Sequence, residues 1–124
     1  MKSHLIILST GREDGGRKAA LAFGIGSAAL TAGDEATIYL AASAICWAYQ
    51  PCIEGVATEG ELSMIEHVAL FRELGGKVLV CSRCVTSQCS AGLCLSDADL
   101  VAGVEFGGLT TLVELASDSV VYTF

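Results

Sequence analysis

The feature that most constrains this chain is a regular alternation of unbroken apolar runs with helix-like segments. His4–Ser9 (HLIILS) is continuous enough for a strand buried on both faces. A polar, Gly-rich loop over Thr10–Gly16 follows it. Asp14 or a neighbour can then cap a helix from about Gly16 to Ala32, with Gly33 ending it. That helix is mostly Ala, Leu and Gly, so it can approach a sheet closely. Ala36–Ala42 (ATIYLAA) is a second buried strand, and residues 43–60, broken by Pro51, Gly55 and Gly60, are less regular. Glu61–Leu74 reads as a helix stopped by Gly75-Gly76, and Lys77–Cys81 (KVLVC) as a third strand. Ser82–Leu95 reads as a loop and a short helix, with a further helical turn from Asp97. A short strand near Val104–Phe106, a helix over Leu109–Ala116 and a terminal strand over Ser119–Phe124 complete the order. Strands alternating with helices imply right-handed crossovers, hence an α/β domain with a parallel sheet and helices on both faces.

A chain of 124 residues is one domain, 1–124, long enough to bury a core without a disulfide or metal staple. Its 52% apolar content excludes disorder and leaves a surplus that a sheet face or a subunit interface would use. Acids outnumber bases by fourteen to seven, and no base follows Arg83. That balance gives no footprint for nucleic acid or for an anionic membrane. Residues 36–53 carry no charge, but Thr37, Ser43, Gln50 and Pro51 interrupt them, so they read as strand plus loop rather than a membrane span. The opening residues lack the apolar stretch of a signal peptide, which places the chain in the cytosol with its thiols reduced.

In parallel sheets, ligands sit beyond the C-terminal ends of the strands. Three segments are expected there: Ser9–Gly16, Ala41–Cys52 and Cys81–Cys94. All six cysteines, at 46, 52, 81, 84, 89 and 94, fall in the last two. Gly11–Lys18 has the position of a Walker A loop, but Arg17 and Lys18 replace its Lys and Ser/Thr, and Glu13 and Asp14 would repel phosphate. Gly24-Ile-Gly26 falls inside a helix and reads as packing. His4 and His67 belong to no triad or metal pattern, and His67 reads as a surface or interface residue.

Cys81-Ser-Arg-Cys84, followed by Cys89 and Cys94, is the strongest local signal. Cys81 ends a buried strand where the next helix opens, so helix N–H groups and the Arg83 charge would favour its thiolate. Three readings compete. The cysteines can be small buried hydrophobes. They can form a four-thiolate zinc or iron–sulfur site, although C-x2-C-x4-C-x4-C differs from the usual paired knuckles. They can be a redox pair after a strand, although the only proline, Pro51, lies upstream, where a thioredoxin's cis-Pro does not. Cys46-Trp47-Ala-Tyr-Gln-Pro-Cys52 reaches the same edge, either as an aromatic shelter for a labile sulfur species or as a hydrophobic loop.

The order of these motifs resembles the DsrE/DsrF-like proteins, including the TusD- and YchN-type subunits of sulfur-relay systems. The resemblance rests on Ile6–Gly33, the strand Ala36–Ala42, Val78–Cys81, and the ending DLVAGVEFGGLTTLVELA then VVYTF. It implies a three-layer α/β/α fold with a five-stranded parallel sheet, and trimers or hexamers. It also implies sulfur held as a persulfide on the cysteine after the third strand, which here is Cys81. Cys84 and Cys89 are then expected as further active thiols, and Arg83, Trp47 and Cys46 as substrate or partner contacts. A TusA-type persulfide carrier is the expected partner, no cofactor is expected, and Cys81 should be the fastest-alkylated thiol.

Overall fold

The computed structural model describes residues 1–90 and 96–124, for residues 88–90 the backbone only. Five strands, β1 (Ser3–Leu8), β2 (Glu35–Leu40), β3 (Lys77–Cys81), β4 (Glu105–Gly107) and β5 (Val120–Thr123), form one sheet. Every pairing is parallel, in the order β4-β3-β2-β1-β5. The helices are α1 (Arg17–Thr31), α2 (Gln50–Ile53), α3 (Met64–Glu73), α4 (Ser82–Ser90) and α5 (Leu109–Ser117). Short 3-10 turns lie at Arg12–Asp14, Ala42–Ala48 and Asp97–Asp99. The expected strands are all present within one or two residues.

Local chemistry sets the helix ends. The Asp14 carboxylate accepts from the Gly16 and Lys18 N–H groups at 3.0 and 2.9 Å, so it caps α1 from two residues before the cap position. At the other end, Gly33 (φ +93°) donates to Leu30 and Asp34 donates to Ala29, the paired bonds of a Schellman cap. The third helix starts later than Glu61. Ser63 and Glu66 form a reciprocal capping box, so Met64 is its first residue. The stretch after β2, expected to be irregular, contains the seven-residue 3-10 turn and α2.

The two sheet faces are unequal. Ile6, Leu8, Ile38, Leu40, Val78 and Val80 pack under α1 and α3, where Phe23 meets Phe71 edge to face at 5.6 Å. Gly26 lets α1 approach the Phe71 ring, where a Cβ would lie 2.6 Å from it. The opposite face carries a smaller cluster of Leu5, Tyr39, Leu79 and Cys81, covered by Leu112, Leu115 and Ala116 of α5. His67, expected at the surface or at an interface, is 6% exposed on α3, with Nε2 3.9 Å from a Glu61 carboxylate oxygen. The helix turns that position into the main core, and the sequence period there spans both faces.

Candidate functional site

Cys81 is the last residue of β3, and Ser82 already belongs to α4, with no loop between them. The strand therefore delivers the thiol into the first turn of a helix, where N–H groups lack intrahelical partners. The Cys84 N–H donates to the Cys81 sulfur at 3.3 Å. The Cys84 and Tyr39 side chains and the Arg83 backbone also favour the charged form of this sulfur. Burial alone would raise the Cys81 pKa, but these donors outweigh it and hold the thiol below the usual cysteine value. Tyr39 gives its single hydrogen to the Gly107 carbonyl at 2.9 Å. Once Cys81 ionises, the charged sulfur becomes the stronger acceptor for that hydrogen. Burial, followed by the neighbouring Cys81, pushes the Tyr39 phenol well above its ordinary range.

The 3-10 turn after β2 packs against β3 and α4. Its first residue, Ala42, has φ +50°, and it is the only non-glycine with positive φ among the described residues. An L-residue held there costs about 1–2 kcal/mol. In that conformation the Ala42 N–H donates to the Cys84 sulfur at 3.3 Å. Burial and the adjacent Cys81 raise the Cys84 pKa, against the pull of that N–H. Each of the two sulfurs thus receives a backbone N–H from a different segment. The turn is anchored by Ser43, whose hydroxyl donates to the Glu13 carboxylate at 2.6 Å. Glu13 in turn accepts from the Gly11 N–H at 3.0 Å, and this bonding, Ser43 foremost, lowers its pKa. The Gly-rich loop after β1 therefore satisfies an N–H with its own carboxylate.

The structure brings Cys81 and Cys84 together. Cys81 is only 1% exposed, so its thiolate character does not come with open access, and the expectation of fastest alkylation loses its basis. Cys84 is half-buried and Arg83 is exposed. Trp47 is 1% exposed, and its Nε1 donates to the Thr10 carbonyl at 3.0 Å. It fills the core and offers a partner no surface. Cys46 is half-buried; burial, then the neighbouring Cys52 thiol, pushes its pKa up to about 12. The Cys89 side chain and Cys94 lie outside the described residues, and the four-thiolate metal reading with them. Among the described residues no three His, Cys, Asp or Glu groups converge on a metal position, and no helix is long and apolar enough to cross a membrane.

Tyr39 and Ala42 were not singled out from the sequence. Tyr39 had a signal, a polar-tipped aromatic beside Ile38 and Leu40 in a buried strand, where its hydroxyl must find a partner. Ala42 had none, because alanine is not a residue that marks positive φ.

The sequence profile of the DsrE/DsrF-like family matches residues 2–124. Among solved structures, the crystal structure of the ychN protein from E. coli superimposes over 100% of both chains, with a TM-score of 0.73 at 18% identity. The MTH1491 protein of Methanobacterium thermoautotrophicum does so over 100% of both chains, with a TM-score of 0.71 at 12% identity. No curated protein sequence matches.

Proposed function

The chain belongs to the DsrE/DsrF-like family, and from that premise we propose that it is a sulfur carrier, or sulfurtransferase, that holds sulfane sulfur as a Cys81 persulfide. One observation carries the reading: a thiol at a strand end receives the Cys84 N–H at 3.3 Å and has its pKa lowered. A thiolate attacks the outer sulfur of a donor persulfide, the donor's own thiolate leaves, and the outer sulfur stays on the carrier. The reverse exchange with a partner's cysteine unloads it. The donors around Cys81 favour the anionic sulfur that both steps require. A small persulfide-bearing protein of the TusA type is the proposed partner, in the cytosol, and the working form is a homotrimer or a dimer of trimers. Exposed apolar residues on α5, Leu109 and Val113, support self-association.

The test is intact mass after incubation with polysulfide or thiosulfate. The wild type should gain units of about 32 Da, which peptide mapping after alkylation should place on Cys81 once loading is complete. An unchanged wild-type mass, or added sulfur that peptide mapping never finds on Cys81, rejects the assignment. A thiol–disulfide switch is the second reading, supported by the nearness of the two cysteines, with the Cys84 N–H 3.3 Å from the Cys81 sulfur. It would appear as a loss of about 2 Da.

A further inference from the structure

A carrier thiol must meet a thiol on another molecule, yet Cys81 is 1% exposed at the base of the α4 turn. Cys84 stands one turn further along, half-buried, packed against both core clusters, with its backbone N–H bonded to the Cys81 sulfur at 3.3 Å. Beyond it the chain adopts a strained left-handed conformation at Ala42, which aims an N–H at the Cys84 sulfur at 3.3 Å. Strain of this kind persists only where the surroundings enforce it, and here it gives a second sulfur its own donor.

We infer that Cys84 is a relay thiol, a second catalytic cysteine through which sulfane sulfur passes between the buried Cys81 and an external persulfide. The inference rests on the carrier reading and specifies the route within it. In the loading step, the Cys84 thiolate attacks the outer sulfur of a donor R–S–SH. A new S–S bond forms on Cys84 and R–S⁻ departs. The Cys81 thiolate then attacks the outer sulfur of Cys84–S–SH. The Cys81–sulfur bond forms as the Cys84–sulfur bond breaks, the persulfide hydrogen travels with the outer sulfur, and the electron pair remains on Cys84. The Ala42 N–H faces that developing thiolate. The sulfane atom changes partner without net oxidation or reduction, so no oxidant or reductant is needed. Unloading is the same exchange run backward, and there Cys81, the less basic thiol, is the better leaving group. Charge passes between two sulfurs that each hold a fixed backbone donor.

Glutathione persulfide is the probe, with rapid quenching by an alkylating agent and peptide mapping. In the wild type the added sulfur should appear on the Cys84 position first and on Cys81 later, a measurement that needs no variant. Cys81→Ser should accumulate one adduct of about 32 Da on Cys84. Cys84→Ser and Cys84→Ala, each checked for fold by circular dichroism, should load Cys81 about tenfold more slowly or worse, since the buried thiol must then be reached directly. Three results would overturn the relay: loading of Cys81 at the wild-type rate in both Cys84 variants, no adduct on Cys84 in Cys81→Ser, or a wild type that mainly loses about 2 Da and releases sulfide. The last would make Cys84 a resolving thiol that attacks the inner sulfur. A wild type that takes up no sulfur at all, from this probe or from polysulfide, overturns the carrier reading itself and the relay with it.

Discussion

Cys81 is pulled in two directions, and the balance is set by its burial and by groups on β2 and α4. Burial opposes its ionisation, while the donors from Cys84, Tyr39 and Arg83 favour it and prevail. A thiol whose folded-state pKa lies below its unfolded value stabilises the fold fully above the unfolded value, about 8.5, and that contribution is lost as pH falls through the folded value. Tyr39→Phe removes one donor and leaves the Gly107 carbonyl without its partner. Two outcomes are expected. The variant should lose about 1–3 kcal/mol in urea denaturation at neutral pH, the cost of an orphaned buried acceptor. Its stability should also rise less than that of the wild type between pH 7 and about 8.5, because the gap between folded and unfolded Cys81 narrows. A parallel pH dependence in the two proteins would mean that the hydroxyl serves Gly107 alone.

Helix α3 shows how an element's position depends on its ends. Its start is written in Ser63 and Glu66, and its C-terminal stop in Gly75-Gly76. Phe71 is fully buried and held edge to face by Phe23, so its ring has no room to yield. A Cβ at Gly76 would collide with three atoms of that ring. Gly76→Ala should therefore cost about 1–3 kcal/mol, as overpacking in a filled core does. Ser63→Ala should cost about 1 kcal/mol through the lost cap. Denaturant titration checks both. A Gly76→Ala protein as stable as the wild type would show that the ring can move aside. The capping box was legible in Ser63-x-x-Glu66, yet the helix was expected from Glu61. An acid in that region suits either the first turn or the residues before the cap, and only the hydrogen bonds separate them.

For the whole molecule, the exposed area is 6419 Å². Size scaling gives roughly 6,300 Å² for a compact chain of this mass. The apolar surplus is therefore a matter of where apolar atoms lie, not of excess surface. The face that carries Cys81 is covered thinly by α5, in which no residue is buried and Val113 is 68% exposed. Val113→Lys should lower the mass reported by light scattering from that of an oligomer to that of one chain. Stability of the single chain should change by no more than about 0.5 kcal/mol, as is usual for a surface position. A wild type that is already monomeric at micromolar concentration removes the self-association, and an unchanged oligomer in Val113→Lys moves the interface away from α5.

The strands were legible because a parallel sheet covered on both faces demands unbroken apolar runs, and HLIILS, ATIYLAA and KVLVC are such runs. The same logic located Cys81, since a cysteine that closes a buried strand has only the next helix to enter. Strand order was not legible, because nothing local says that β5 crosses the sheet to lie beside β1. The exposure of each thiol was hidden for the same reason. Whether Cys81 is open or buried depends on α5 and on the turn after β2, both distant in sequence. The aim of the Ala42 N–H at Cys84 likewise follows from a backbone angle that alanine disfavours by itself and that the packing around it enforces.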